Sequence, residues 1–109
     1  MIAGAGKCSV IVGGNLNTTI SPCSFIGGGC DNIINNTFRS GSVIVGGKNN
    51  TTTSGYSGGP NFTNTFIGGG FNNCITSYGF AFIGGGCNNT VSGVYSGVIV
   101  GGKNNSVSG

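Results

Sequence analysis

One short motif recurs six times in this chain and limits its fold more than any other feature. The copies are Val10-Ile11-Val12-Gly13-Gly14, Phe25-Ile26-Gly27-Gly28-Gly29, Val43-Ile44-Val45-Gly46-Gly47, Phe66-Ile67-Gly68-Gly69-Gly70, Phe82-Ile83-Gly84-Gly85-Gly86 and Val98-Ile99-Val100-Gly101-Gly102. Their first residues are 15, 18, 23, 16 and 16 positions apart, so the parent period is 16. Self-similarity at a fixed short period is the signature of stacked repeat architectures. The 23-residue step holds an insertion, placed within Gly58 to Asn64, which contains Pro60.

A second half-motif follows the first. It is clearest in Asn88-Asn89-Thr90-Val91-Ser92-Gly93 and Asn104-Asn105-Ser106-Val107-Ser108-Gly109. Weaker versions are Asn72-Asn73-Cys74-Ile75-Thr76 and Asn49-Asn50-Thr51-Thr52-Thr53. Each rung therefore reads strand, Gly-Gly turn with an Asn pair, strand, Ser-Gly turn. Val, Ile, Phe and Thr favour strands, and Gly and Asn supply the positive φ that tight turns need. Gly supplies 25 of 109 residues, against an average of about 7%, and at that density helix is disfavoured. The expected fold is all-β: a parallel β-solenoid, a β-roll or β-helix, of six rungs of about 16 residues stacked at about 4.8 Å. Residues 1–8 are a lead-in, and 9–109 form a single solenoid domain with a loop insertion near 55–64.

Alternation within the first strand assigns its side chains. The central residue is always Ile, and Ile11, Ile26, Ile44, Ile67, Ile83 and Ile99 are expected inside the coil, met by Ile75, Val91 and Val107 from the second strand. The flanking residues Val10, Phe25, Val43, Phe66, Phe82 and Val98 then form an apolar stripe on the outside. Such a stripe marks an interface, and the glycines beside it let another backbone approach, so it is expected to be buried between chains of a closed homo-oligomer. The reverse assignment, with the flank inward and Ile outward, also leaves both strand faces apolar and still calls for a partner.

The remaining composition excludes more than it suggests. Charged residues are 5%, there is no His or Trp, the only acid is Asp31, and the bases are Lys7, Arg39, Lys48 and Lys103. With a net charge of +3 and no basic–aromatic patch, nucleic acid is not an expected partner. No apolar run nears the roughly 20 residues that cross a bilayer, and Met1 to Lys7 lacks the pattern of a signal peptide. The stop at Gly109, just after a repeat strand, suggests a piece of a longer protein.

No cofactor, metal or catalytic residue is expected. Gly4-Ala5-Gly6-Lys7-Cys8-Ser9 has part of a phosphate loop, but the first required Gly falls at Met1 and Cys8 replaces Ser or Thr. The Gly-Gly-Gly runs lack the spacing of a dinucleotide motif and read as turns. One carboxylate and no His permit neither a Ser-His-Asp site nor a carboxylate pair. Of the five cysteines, Cys8 and Cys23 hold the same place in successive rungs, within disulfide range if stacked; the other reading is small apolar filler. Cys30 and Cys87 share a register but lie three rungs apart, roughly 14 Å, too far to pair. Sequons begin at Asn17, Asn35, Asn49, Asn50, Asn61, Asn88 and Asn104. Turn geometry and stacked amide ladders are the expected reason for most of these asparagines; glycosylation is the other reading.

The repeat resembles the heads of trimeric autotransporter adhesins of the Yersinia type, at Ser24 to Gly29, Ser42 to Gly47 and Ala81 to Gly86. The Asn-rich, Cys-containing style of Phe82 to Gly93 is similar to fibre-like proteins of giant amoebal viruses and to some phage tail fibres. The resemblance covers Ser9 to Gly109. It implies a left-handed β-roll assembled as a homotrimer, a non-enzymatic structural or adhesive module on a virion or cell surface, with a host-surface glycan or protein as partner. The 18- and 23-residue steps depart from the regular repeat and place loops on the surface. Within Gly55 to Asn64, Tyr56 and Phe62 are the expected receptor contacts, unless the insertion has no ligand. Two other functions fit the sequence: a functional amyloid subunit, and an ice-binding solenoid carrying Thr18, Thr51 and Thr90 in one rank, interrupted by Cys74 and Ser106.

Overall fold

The computed structural model describes residues 2–4, 8–36, 41–54, 64–77, 79–93 and 95–109. These residues form an all-β coil of about five turns in which every strand pairing is parallel. One sheet, the front, contains β2 (Val10–Ile11), β4 (Phe25–Ile26), β6 (Val43–Ile44), β8 (Asn64–Ile67), β10 (Phe80–Ile83) and β12 (Ser96–Ile99), stacked in chain order. The back sheet contains β1 (Ile2–Gly4), β3 (Asn17–Thr19), β5 (Ile33–Asn35), β7 (Thr51–Ser54), β9 (Cys74–Ser77), β11 (Thr90–Ser92) and β13 (Ser106–Ser108), also in chain order. The segment read from sequence as a lead-in, 1–8, thus gives one strand to the back sheet, where Ile2 to Gly4 pair with Asn17 to Thr19. Its Ile-Ala-Gly carries no trace of the repeat motif.

The register is the one the repeat dictates. Ile11, Ile26, Ile44, Ile67, Ile83 and Ile99 stand directly above one another through five successive strand pairings. Ile26, Ile44, Ile67 and Ile83 are fully buried and Ile99 is nearly so. Ile11, on the edge strand of the front sheet, is half-buried and packs against this cluster. From the back sheet Ile34, Ile75 and Val91 meet them, with Val107 partly buried. Burying one such side chain contributes roughly 1.5–3 kcal/mol, which is why the thin coil, 14 Å in its shortest dimension, has a core at all. The flanking residues point outward, so the reverse assignment does not occur.

The front and back sheets meet at two unlike corners. At the first, the distance from the core Ile to the next buried Asn is constant, as in Ile26 to Asn32 and Ile83 to Asn89. Every copy has a Gly at φ near +91 to +100, one variable residue, one residue at φ 56–59, and then Asn. The residues at φ 56–59 are Leu16, Asp31, Asn49, Asn72, Asn88 and Asn104, so in an Asn-Asn pair the first member takes the left-handed turn that Asn tolerates. The second turns inward. Asn17, Asn32, Asn50, Asn73, Asn89 and Asn105 form a single file, the first five fully buried.

In this file each Oδ1 accepts from the backbone N–H and the Nδ2 of the next Asn. Asn73 N donates to Asn50 Oδ1 at 3.1 Å and Asn73 Nδ2 to the same atom at 3.2 Å. Asn73 Nδ2 also donates to Gly69 O at 2.9 Å, within its own turn, and to Gly86 O at 3.0 Å, one rung on. Asn32, Asn50 and Asn89 repeat this set. A buried amide with every hydrogen and lone pair used costs nothing in desolvation that its partners do not offset.

All variation in rung length falls at the second corner, after Asn36 and after Ser54, so the insertions leave the register of both sheets intact. Its interior changes along the coil. In the early rungs it is polar: Asn36 N donates to Ser21 Oγ at 2.5 Å, Asn36 Nδ2 to Ser42 Oγ at 2.6 Å, and Thr65 Oγ1 to Ser42 Oγ at 2.9 Å. In the later rungs Ala81 and Gly97 take the register position of Thr65.

Candidate functional site: the outer faces of the coil

The outer front face is built by a pair of positions on each rung, the flanking residue and the one two places on. Val10 and Val12, Val43 and Val45, and Val98 and Val100 form Val-x-Val pairs. Phe25 and Gly27, Phe66 and Gly68, and Phe82 and Gly84 form Phe-x-Gly pairs. The two kinds fill the same space differently. A Cβ on Gly27, Gly68 or Gly84 would lie 3.3 or 3.4 Å from Cε1 of the Phe two residues earlier, so each ring leans over its own glycine. The same Cβ would sit 2.2 or 2.3 Å from a carbonyl oxygen of the next rung. Large-plus-nothing on three rungs and medium-plus-medium on the other three thus occupy the same two positions.

Val10, Val12, Phe25, Val45, Phe80, Phe82, Val98 and Val100 on this face are exposed, and Val43 and Phe66 half-buried. The rings of Phe66 and Phe82 stack at 5.2 Å with an interplanar angle of 5°. Beside them a shallow hollow of about 290 Å³ opens between Phe80, Phe82 and Val98. Among the described residues of the front strands, the outward side chains are apolar apart from Asn64 and Ser96 at one end of their strands. This face is the stripe expected from the sequence, and it is wider than expected, because Val12, Val45, Val100 and Phe80 extend it.

The outer back face has the opposite chemistry. Outward residues come in two files, set between the buried Thr52, Ile75 and Val91. One file runs Thr18, Ile33, Thr51, Cys74, Thr90, Ser106, and the other includes Asn35, Thr53, Thr76, Ser92 and Ser108. From β7 onward all of these but Cys74 carry a hydroxyl. The first file contains the rank of Thr18, Thr51 and Thr90 expected from the sequence, with Ile33 between Thr18 and Thr51 as an unexpected member; the second was signalled by the Thr51-x-Thr53 spacing, which puts both hydroxyls on one side of a strand.

The charges lie elsewhere. Asn15, Cys30, Lys48, Phe71, Cys87 and Lys103 form a third parallel file along the first corner, joined by isolated bridges. Cys30 Sγ donates to Asp31 Oδ2 at 3.3 Å, and this bond, with desolvation and the carboxylate's charge, raises the Cys30 pKa above that of a free thiol. A raised pKa favours the thiol over the thiolate. Cys8 and Cys23 are free thiols, exposed in turn positions with φ of 61 and 54. The structure holds them as two separate thiols, and both are exposed. Cys74 and Cys87 are also free. Among the described residues no three of His, Cys, Asp and Glu come together.

The structure also divides the sequons. Asn17 and Asn50 are fully buried ladder members, whereas Asn35, Asn49, Asn88 and Asn104 are exposed. Tyr56, Phe62 and Asn61, with the rest of the insertion at 55–63, lie outside the described residues, as do Lys7 and Arg39; Asn64 is the first residue of β8. No protein-family profile matches this chain, and no curated protein matches it in sequence.

Proposed function

We propose that this chain is a non-enzymatic structural or adhesive module that self-associates as a homotrimer through its outer front face. It would form part of a fibre or head displayed on a virion or cell surface, there to hold a host-surface glycan or protein. The observation that carries this reading is the front face itself: among the described residues it is apolar and turned outward on every rung. Soluble chains rarely leave a contiguous apolar surface of this kind facing water, and where they do it marks an interaction site. A second copy is the fitting occupant because the described residues of this face repeat from rung to rung and carry no charge, so identical faces meet without desolvating ions. The likeness to trimeric adhesin heads supports three copies. Threefold display of one contact surface would raise weak single-site affinity by avidity.

The test is a charge on the face. Phe82→Lys and Val98→Lys each point into solvent in the single chain, so the fold and its β-sheet circular dichroism should survive. If the face is the interface, either substitution lowers the solution mass to that of one chain. Unchanged mass in both variants would rule this face out as the contact.

A further inference from the structure

We propose that the outer back face binds ice. This inference stands independently of self-association through the front face. Thr51, Thr53, Thr76 and Thr90 lie in two files on parallel in-register strands, with Cys74 between Thr51 and Thr90, and Ser92, Ser106 and Ser108 continue the files. Adjacent strands are about 4.8 Å apart, and alternate residues on one strand are about 6.7 Å apart. From β7 onward hydroxyl-bearing residues therefore recur on a two-dimensional lattice with these steps, broken at Cys74, and oxygens on crystal faces of ice repeat at distances of the same order.

Three features select frozen water over other occupants. Threonine has two heavy atoms on Cβ and a restricted χ1, so each hydroxyl is held at a fixed height beside a methyl group. Every hydroxyl both donates and accepts, as every oxygen in ice does. The two described lysines and Asp31 lie on the first corner and not on this face, so an uncharged lattice meets an uncharged lattice. A sugar polymer would call for an aromatic platform, and the described residues of this face include none. The rigidity comes from below: the Asn file and the Ile core fix the spacing of the strands, so the surface does not have to order itself when ice forms on it.

The experiment is thermal hysteresis of the purified chain, with the shape of the growing crystal recorded. The expected result is a gap between melting and growth temperatures and faceted crystals. Thr76→Lys, whose side chain points outward between buried Ile75 and Ser77, should abolish both while leaving the β-sheet spectrum intact. Val98→Lys, on the opposite face, should keep the gap even if it changes the solution mass. Round crystals with no gap from folded protein at millimolar concentration would overturn the inference. So would loss of the gap in Val98→Lys to the same extent as in Thr76→Lys.

Discussion

Asn73→Ala is expected to destabilise the folded chain by about 4 kcal/mol, since several buried polar groups lose their partners together. The side chain donates to Asn50 Oδ1, Gly69 O and Gly86 O and accepts from Asn89 N and Asn89 Nδ2 at 3.1 Å each. Alanine leaves the Asn89 N–H in the interior with no acceptor, and a buried orphan of that kind costs more than an average hydrogen bond contributes. Its neighbour Asn72 is exposed and at φ 56, so Asn72→Gly should stay within about 0.5 kcal/mol of the parent. Urea unfolding of the two variants checks the contrast. Equal effects would mean that the pair serves only as a turn and that the amide file carries no stability.

Gly70→Ala should be as severe, for a different reason. Gly70 has φ +94, and a Cβ there would lie 2.1 Å from Gly86 O, 2.9 Å from Gly86 N and 2.7 Å from Asn73 Nδ2. Two of these are backbone atoms of the next rung and cannot give way without breaking the stack. Strained φ and overpacking together put the cost at about 4 kcal/mol. Gly85, one position before the equivalent Gly86, has nothing within 4 Å of its would-be Cβ, and Gly85→Ala should lie within about 0.5 kcal/mol. The pair separates two roles that look identical in the Gly-Gly-Gly run: one glycine makes room for the neighbouring rung, and the other faces open space.

The repeat made the coil legible because its Ile recurs in one register, and only stacking can bury a file of that kind. The outward flank followed from strand alternation. The Asn file was legible only in part. Asn-Asn pairs announce a turn, but in the first two rungs the pair is Leu16-Asn17 and Asp31-Asn32, and a reading by residue pairs passes over them. The fixed step of three from Gly14 to Asn17, from Gly29 to Asn32 and from Gly70 to Asn73 was the signal. The coupling of Phe25 with Gly27 against Val10 with Val12 is present in the letters, yet its meaning needs the ring position. The strand Ile2–Gly4 carries no motif, so pairing with β3 alone reveals it. The polar second corner was hidden because Ser and Thr read as turn residues whether they face water or, like Ser42 and Thr65, the interior.

The proposed trimer requires further copies of this chain to cover the outer front face. Light scattering coupled to size exclusion, with and without reductant, tests it most directly. The expected result is a single species of three times the 10.7 kDa chain mass, unchanged by reductant. A single chain mass would contradict it, as would a broad high-mass elution, which would favour an open-ended amyloid-like polymer.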